Sequence, residues 1–232
     1  MKLKTLIHRN IRKKVYRAFR FNPIVEKLDA MLHHRNVLPF PEIGLRIPVT
    51  GRDVLIDCGA NVGDVTSRMA KTGATVYAFE PDPHAYAVLA RRFSLMQNVR
   101  CLNRGVMAQP GMLDFYLFGS SAKDAIDSSV GSSFVQEKNA THSGGVVQIE
   151  CLDFSAFVQS LAQPVAFVKM DSEGADVEVL NRLIETGAID RIEHILVETH
   201  ETQIPALAEG MAALRQRIAA KGLEEKIRLD WM

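Results

Sequence analysis

The sequence predicts an α/β fold, a mostly parallel sheet flanked by helices, with an N-terminal helical extension. Three observations predict it. The apolar run Val54-Leu55-Ile56 ends at Asp57 and enters a turn holding Gly59 and Gly63. A second run, from Thr75 to Phe79, ends at Glu80 and is stopped by Pro81 and Pro83. Further runs of this kind alternate with helix-compatible stretches, the beat of a parallel sheet wrapped by helices.

Residues 1–20 hold Lys2, Lys4, Arg9, Arg12, Lys13, Lys14, Arg17 and Arg20 and no acid, which leaves 20 basic against 27 acidic side chains in the rest of the chain, a net of −7. Leu3, Ile7, Ile11, Val15 and Phe19 recur every four residues, one stripe of a helix ringed by cations. Such a helix docks on its own domain or on a twin subunit, lies on a membrane surface, or serves as a nucleic-acid arm. Docking, with a homodimer as one form of it, is the first expectation and peripheral membrane contact the second. Residues 21–49 mix Pro23, Pro39, Pro41, Gly44 and Pro48 with short apolar pieces and read as an irregular lead-in. This gives two regions, 1–50 and a catalytic domain over 51–232.

In that domain, strands over 54–57, 75–80 and 99–103 alternate with helical runs over 62–71 and 84–96. Right-handed crossovers then bring the three strand ends to one rim. Residues 112–118 and 146–150 read as strands able to pair, joined by a polar loop over 119–145 that is either an acceptor lid or disorder. A buried strand over 165–171, a helix over 175–185, a strand over 192–198, a helix over 205–221 and a short terminal piece complete the order.

The bulk numbers set limits. At 232 residues, 47% hydrophobic and 24% charged, the chain suits one soluble domain with a full core. No apolar run approaches the roughly 18 to 20 residues that span a bilayer. The basic start lacks the apolar block of a secretory signal, so a cytoplasmic location is the default. Cys58, Cys101 and Cys151 are odd in number and each lies in or beside an apolar run, which suggests reduced core thiols.

The glycine turn asks for a ligand. Gly59 and Gly63 allow close backbone approach, and the N–H groups that open the following helix attract an anion. The spacing Asp57-x-Gly59-x-Asn61-x-Gly63 is not the Gly-x-Gly-x-x-Gly of dinucleotide folds. A shorter anion with a cation for Asp57 fits better, and the methionine part of S-adenosyl-L-methionine offers both. Glu80 stands 23 positions after Asp57, where an acid accepts hydrogen bonds from ribose hydroxyls. Asp57 as a helix cap and Asn61 as a turn filler are the bland alternatives.

The blocks "LIDCGANVGDVTSRMA", "VYAFEPDPHAYAVL" and "FVKMDSEGADVEVL" resemble the FkbM-type S-adenosylmethionine-dependent methyltransferases, over roughly 54–200. The resemblance implies a Rossmann-like class I methyltransferase fold and methyl transfer, commonly to a hydroxyl oxygen of a sugar, polyketide or other secondary metabolite. The chain departs from the family pattern at Met170-Asp171-Ser172 and at Asp176, and both changes leave the Asp171 and Glu173 carboxylates in place.

Methylating an alcohol requires removal of a proton, by a general base or through a metal that acidifies the hydroxyl. Asp171, Glu173, Glu198 and His200 are the catalytic candidates, because strands ending at Asp171 and near Glu198 deliver them to the carboxyl rim. Asp171 also joins Asp57, Gly59, Asn61, Gly63 and Glu80 as a cofactor-binding candidate. Glu198 and His200 point the same way only if the strand persists to His200. One histidine with carboxylates also suits a divalent cation. The expected acceptor is a small-molecule or glycosidic hydroxyl. The alternatives are an RNA methyltransferase recruited by the basic tail and a non-catalytic interaction protein that keeps the fold.

Overall fold

The computed structural model describes residues 21–118, 132–134, 145–172, 174–201 and 205–231. The basic segment 1–20, most of the 119–145 loop and Glu173 lie outside the described residues.

Six parallel strands form the central sheet: β3 (Val54–Cys58), β4 (Thr75–Phe79), β5 (Val99–Leu102), β9 (Val165–Met170), β10 (Ile192–Glu198) and β11 (Ile227–Trp231). Their spatial order is β5-β4-β3-β9-β10-β11. All five pairings are parallel. The order reverses between β3 and β9, and ligands of doubly wound folds bind at that switch, outside the carboxyl ends of the strands. Every residue of β3 and of β9 is buried, as the continuous apolar runs require when helices cover both faces.

Alternation along β3 divides the core. Ile56 packs with Val168, Leu180, Leu183, Ile195 and Leu214 on one side. Leu55 packs with Leu38, Phe40, Val76 and Phe167 on the other. The first layer is built by α5 (Asp176–Thr186) and α6 (Ala208–Ala220), with α4 (Phe154–Ser160) beside them. Helices α2 (Asp64–Ala70) and α3 (Pro83–Arg92) follow β3 and β4. Asp82 caps α3, its Oδ1 accepting from the amides of His84 at 2.8 Å and Ala85 at 3.2 Å.

A three-stranded sheet, ordered β6-β8-β7, is inserted after β5. Its members are β6 (Gly105–Met107), β7 (Gly111–Tyr116) and β8 (Val146–Asp153). β7 and β8 pair antiparallel, as the sequence predicts, with Leu113 opposite Ile149.

The stretch 21–49 corrects the expectation of an irregular lead-in. It forms α1 (Pro23–Leu32) and a hairpin of β1 (Val37–Phe40) and β2 (Leu45–Pro48). Asn22 caps α1 and Pro23 takes its first position, where a missing N–H costs nothing. Pro39 and Pro48 lie in a two-stranded ribbon, where proline is tolerated. Leu38, Phe40, Ile47 and Val49 enter the core, and the Phe40 and Phe167 ring centroids are 5.1 Å apart. The packed unit therefore begins well before residue 51. Among the described residues no helix is long and apolar enough to cross a membrane.

Candidate functional site

The carboxyl ends of β3, β4, β9 and β10 carry the candidate residues. The turn after β3 places Gly59 and Gly63 at φ of +71° and +89°, and Asn61 at +50°. The reason for glycine differs from the expected one. A Cβ on Gly59 would stand 2.0 Å from the carbonyl oxygen of Asp171, and one on Gly63 would stand 2.5 Å from Phe93 Cε2 and 2.7 Å from Leu89 Cδ1. The protein itself fills the space that the glycines leave open.

Asp57 is wholly buried, at 0% exposure. Its Oδ2 accepts from Thr66 Oγ1 at 2.6 Å, and its Oδ1 lies 3.7 Å from the Lys169 ammonium. Burial raises its carboxyl above the ordinary value, opposed by Lys169 and Thr66. The cation expected beside Asp57 is thus already present as Lys169, and Asp57 stands behind the turn rather than at its mouth. Lys169 Nζ also donates to the carbonyls of Gly59 at 2.7 Å and Cys58 at 3.1 Å, and to Asp171 Oδ2 at 3.0 Å. Burial works to lower the Lys169 pKa, but Asp171 and Asp57 outweigh it and hold it above the usual lysine range. One ammonium therefore ties β9 to the glycine turn.

Glu80 stands at the end of β4, as predicted. Its Oε2 accepts from the amide of Asn61 at 2.6 Å and its Oε1 from the amide of Asp82 at 2.8 Å. Burial pushes its carboxyl up to about 8 against the pull of those two amides. Asn103 Nδ2 donates to the carbonyls of Glu80 and Pro81 at 2.8 and 3.0 Å, fixing the chain where it leaves the strand. Ser132, inside the predicted loop, donates to Asp82 Oδ2 at 2.7 Å. That part of the loop returns to the Glu80 rim.

Asp171, Glu198 and His200 come together. Each offers one ligand atom, and these atoms lie within 4.8 Å of one another. The strand ends at Glu198 and does not persist to His200, so their proximity is not period-two alternation; the chain beyond the strand brings His200 beside Glu198. His200 is buried between two carboxylates, Nε2 at 3.5 Å from Asp171 Oδ1 and Nδ1 at 3.8 Å from Asp176 Oδ2. Asp171 Oδ1 makes no hydrogen bond among the described residues. Asp176 is held by the amides of Ser172 at 2.8 Å and Gly174 at 3.3 Å, and burial raises its pKa. The fourth catalytic candidate, Glu173, lies outside the described residues.

Arg104 engages Glu150, with Nη2 at 2.9 Å and Nε at 3.1 Å from its two oxygens. Burial raises the Cys58 thiol well above its ordinary value and Cys101 and Cys151 to about 12 and about 11, which suits packing rather than nucleophilic thiols. Two members of the cluster, Lys169 and Asp176, are not among the site residues the sequence predicts. Lys169 is a lone cation inside the apolar run Val165-Ala166-Phe167-Val168, a signal that a buried carboxylate stands nearby. Asp176 reads as a helix-start acid, and nothing local betrays its approach to His200.

Two curated relatives share a short region with the chain. They are the ribosomal RNA small subunit methyltransferases A of Leuconostoc citreum (strain KM20), 34% identical over 59 residues, and of Thermotoga petrophila (strain ATCC BAA-488 / DSM 13995 / JCM 10881 / RKU-1), 43% identical over 58. Each match covers 25% of this chain but only 20% and 21% of the relative, so the chain spans about a fifth of the length of the curated relatives it matches. The crystal structure of an rRNA methylase from Streptococcus thermophilus aligns over 72% of this chain and 74% of its own, at 15% identity and a TM-score of 0.36. The methyltransferase FkbM domain matches residues 57–224, from the acid that opens the glycine turn to beyond the last helix, and the chain belongs to that methyltransferase family.

Proposed function

We propose that the chain transfers the methyl group of S-adenosylmethionine to a hydroxyl oxygen of a small-molecule or glycosidic acceptor. The observation that carries this reading is the imidazole of His200, beyond the carboxyl end of β10, set between Asp176 and Asp171, the latter at the end of β9 beside the switch point.

The residues present suit the cofactor. Glu80 is oriented by two backbone amides and keeps acceptor positions for ribose hydroxyls, since a carboxylate offers about four lone-pair sites. Asp57 and Lys169 hold the Gly59 turn in shape. Asp171 Oδ1, 3.5 Å from His200 Nε2, makes no hydrogen bond among the described residues and can accept one from a ligand. When bound, S-adenosylmethionine supplies a methyl group made electrophilic by its sulfonium.

The protein's own task is to position an acceptor oxygen in line and to accept its proton. His200 would take that proton from the acceptor hydroxyl. The carboxylates of Asp171 and Asp176 stabilise the imidazolium that results. Glu198 stands beside this group and orients the acceptor. Exclusion of water by the buried surroundings strengthens each of these interactions.

A second role for the same group is favoured by the 4.8 Å clustering of Asp171, Glu198 and His200, a set able to hold a divalent cation. Against it, the Lys169 ammonium already lies 3.0 Å from Asp171. The other substrate class is RNA, named in both curated relatives and compatible with the eight cations of 1–20. The net charge of −7 on the rest of the chain opposes a broad RNA surface.

The experiment is a methyl-transfer assay with labelled S-adenosylmethionine against a panel of hydroxylated metabolites, glycosides and ribosomal RNA, with and without a chelator. Label in a glycoside or metabolite hydroxyl, unaffected by the chelator, supports the imidazole reading. Loss of activity on chelation, restored by manganese or magnesium, moves the role to a cation. Label found only in RNA overturns the acceptor class.

A further inference from the structure

We propose that the outer face of α1 is a docking surface for an anionic lipid bilayer. Helix α1 packs the wrong way round for an ordinary surface helix. Its inward side is polar: Glu26 is buried, with Oε2 at 2.9 Å from Arg92 Nε and Oε1 accepting from Ser67. Arg92 is pinned in turn by the Val62 carbonyl and Asp64 Oδ1, each at 2.9 Å. Asp29 pairs with Lys71 at 2.5 Å on the flank.

The outward side is apolar. Leu28 is 52% exposed, Met31 68% and Leu32 78%, and Ile24 and Val25 are exposed beside them. These positions fall at the spacing of one helical face. The patch continues past the helix, since Met31 and Leu95 line one cavity with Lys27, Ala30 and His34, and Leu95 is itself exposed. Five of the large apolar side chains exposed among the described residues belong to this one ten-residue helix, which locates the unburied surface.

Charge selects the occupant. Residues 1–20, which precede α1 in the sequence, carry eight cations and no acid. Lys27 adds a cation on the patch, and none of the residues lining its cavity is acidic. An apolar face bordered by cations matches the interface of a bilayer with anionic headgroups. Nucleic acid has use for the cations but none for five exposed aliphatic side chains, and a second copy of the same surface would bring like charges together. None of the exposed residues of this face belongs to the His200 group, and the inference does not depend on which acceptor is methylated.

The test is co-flotation of the full chain with vesicles of phosphatidylcholine alone and of phosphatidylcholine mixed equally with phosphatidylglycerol, with light scattering of the protein alone. The expected result is binding to the mixed vesicles only, weakened by salt, and reduced about tenfold by Leu28→Glu or Met31→Glu. Both positions are exposed, so the variants should keep the parent's thermal midpoint. Equal binding to both vesicle types, or binding indifferent to both variants, overturns the proposal. So does a dimer that the same variants dissociate, which would assign the face to a second copy, or salt-sensitive binding to RNA without binding to vesicles.

Discussion

The carbonyl oxygen of Asp171 occupies the place where a side chain on Gly59 would begin, 2.0 Å from an ideal Cβ. The amide of Asp171 also donates to the Cys58 carbonyl at 3.2 Å. The end of β9 and the turn after β3 are thus closed against each other, and the turn's glycine is demanded from within the protein. Gly59→Ala should destabilise by more than about 3 kcal/mol, because backbone must move and φ is left-handed. Gly63→Ala meets only the ends of Leu89 and Phe93 and should cost about half as much. Urea unfolding of the two variants checks the order; equal midpoints would contradict it.

Lys169 is the cation that faces Asp57 and holds the Gly59 carbonyl, and Asp57 depends on it. Replacing it by methionine should cost about 3–5 kcal/mol, the penalty of a buried carboxylate left unpaired. Combining that change with Asp57→Asn should recover part of the loss. A double-mutant cycle in denaturant measures this, and strict additivity would mean the two groups are not coupled.

Glu80 sets a dependence on pH. Its folded carboxyl is raised from the usual 4.5 to about 8, so its stabilising share is complete below about 4.5 and is lost as pH rises through about 8. Affinity for S-adenosylhomocysteine should move the other way, rising through the same window as the carboxylate forms and accepts charge-assisted ribose hydrogen bonds. Glu80→Gln should flatten both trends. Glu80→Ala should weaken the affinity by roughly 1–3 kcal/mol. Calorimetric titration at several pH values reads the effect, and unchanged affinity in the alanine variant rejects the ribose role.

His200 should be a residue of the rate rather than of cofactor affinity. His200→Asn should lower kcat by about 10²–10⁴-fold while S-adenosylhomocysteine binding changes little. A variant that binds S-adenosylhomocysteine poorly while kcat at saturating cofactor stays near the parent's would point to a structural imidazole.

The sheet was legible because its strands carry strong signals. Apolar runs ending in Asp57, Glu80, Asp171 and Glu198 mark both the strand and its carboxyl end, and β10 matches its predicted span of 192–198. The hairpin of 37–48 was not legible, since Pro39, Pro41 and Pro48 mimic a loop unless the two strands are known to form an isolated ribbon. For the site, Glu80, Asp171 and Glu198 were legible as strand ends, whereas His200 reaches them from the segment after β10, which the expected alternation does not describe. The inward-facing role of Asp57 did not, because a turn-opening acid looks the same in sequence whether it meets a ligand or a buried lysine. Asp176 reaches His200 only through the fold, 24 positions along the chain.

The measurement that bears most directly on the central claim is calorimetric titration of the full chain with S-adenosylmethionine and S-adenosylhomocysteine, with NAD as control. Micromolar binding of the first two, lost in Glu80→Ala, and no binding of NAD is the predicted result. Binding of NAD, or of none of the three by a folded protein, would contradict it and leave the Gly59 turn without the ligand assigned to it.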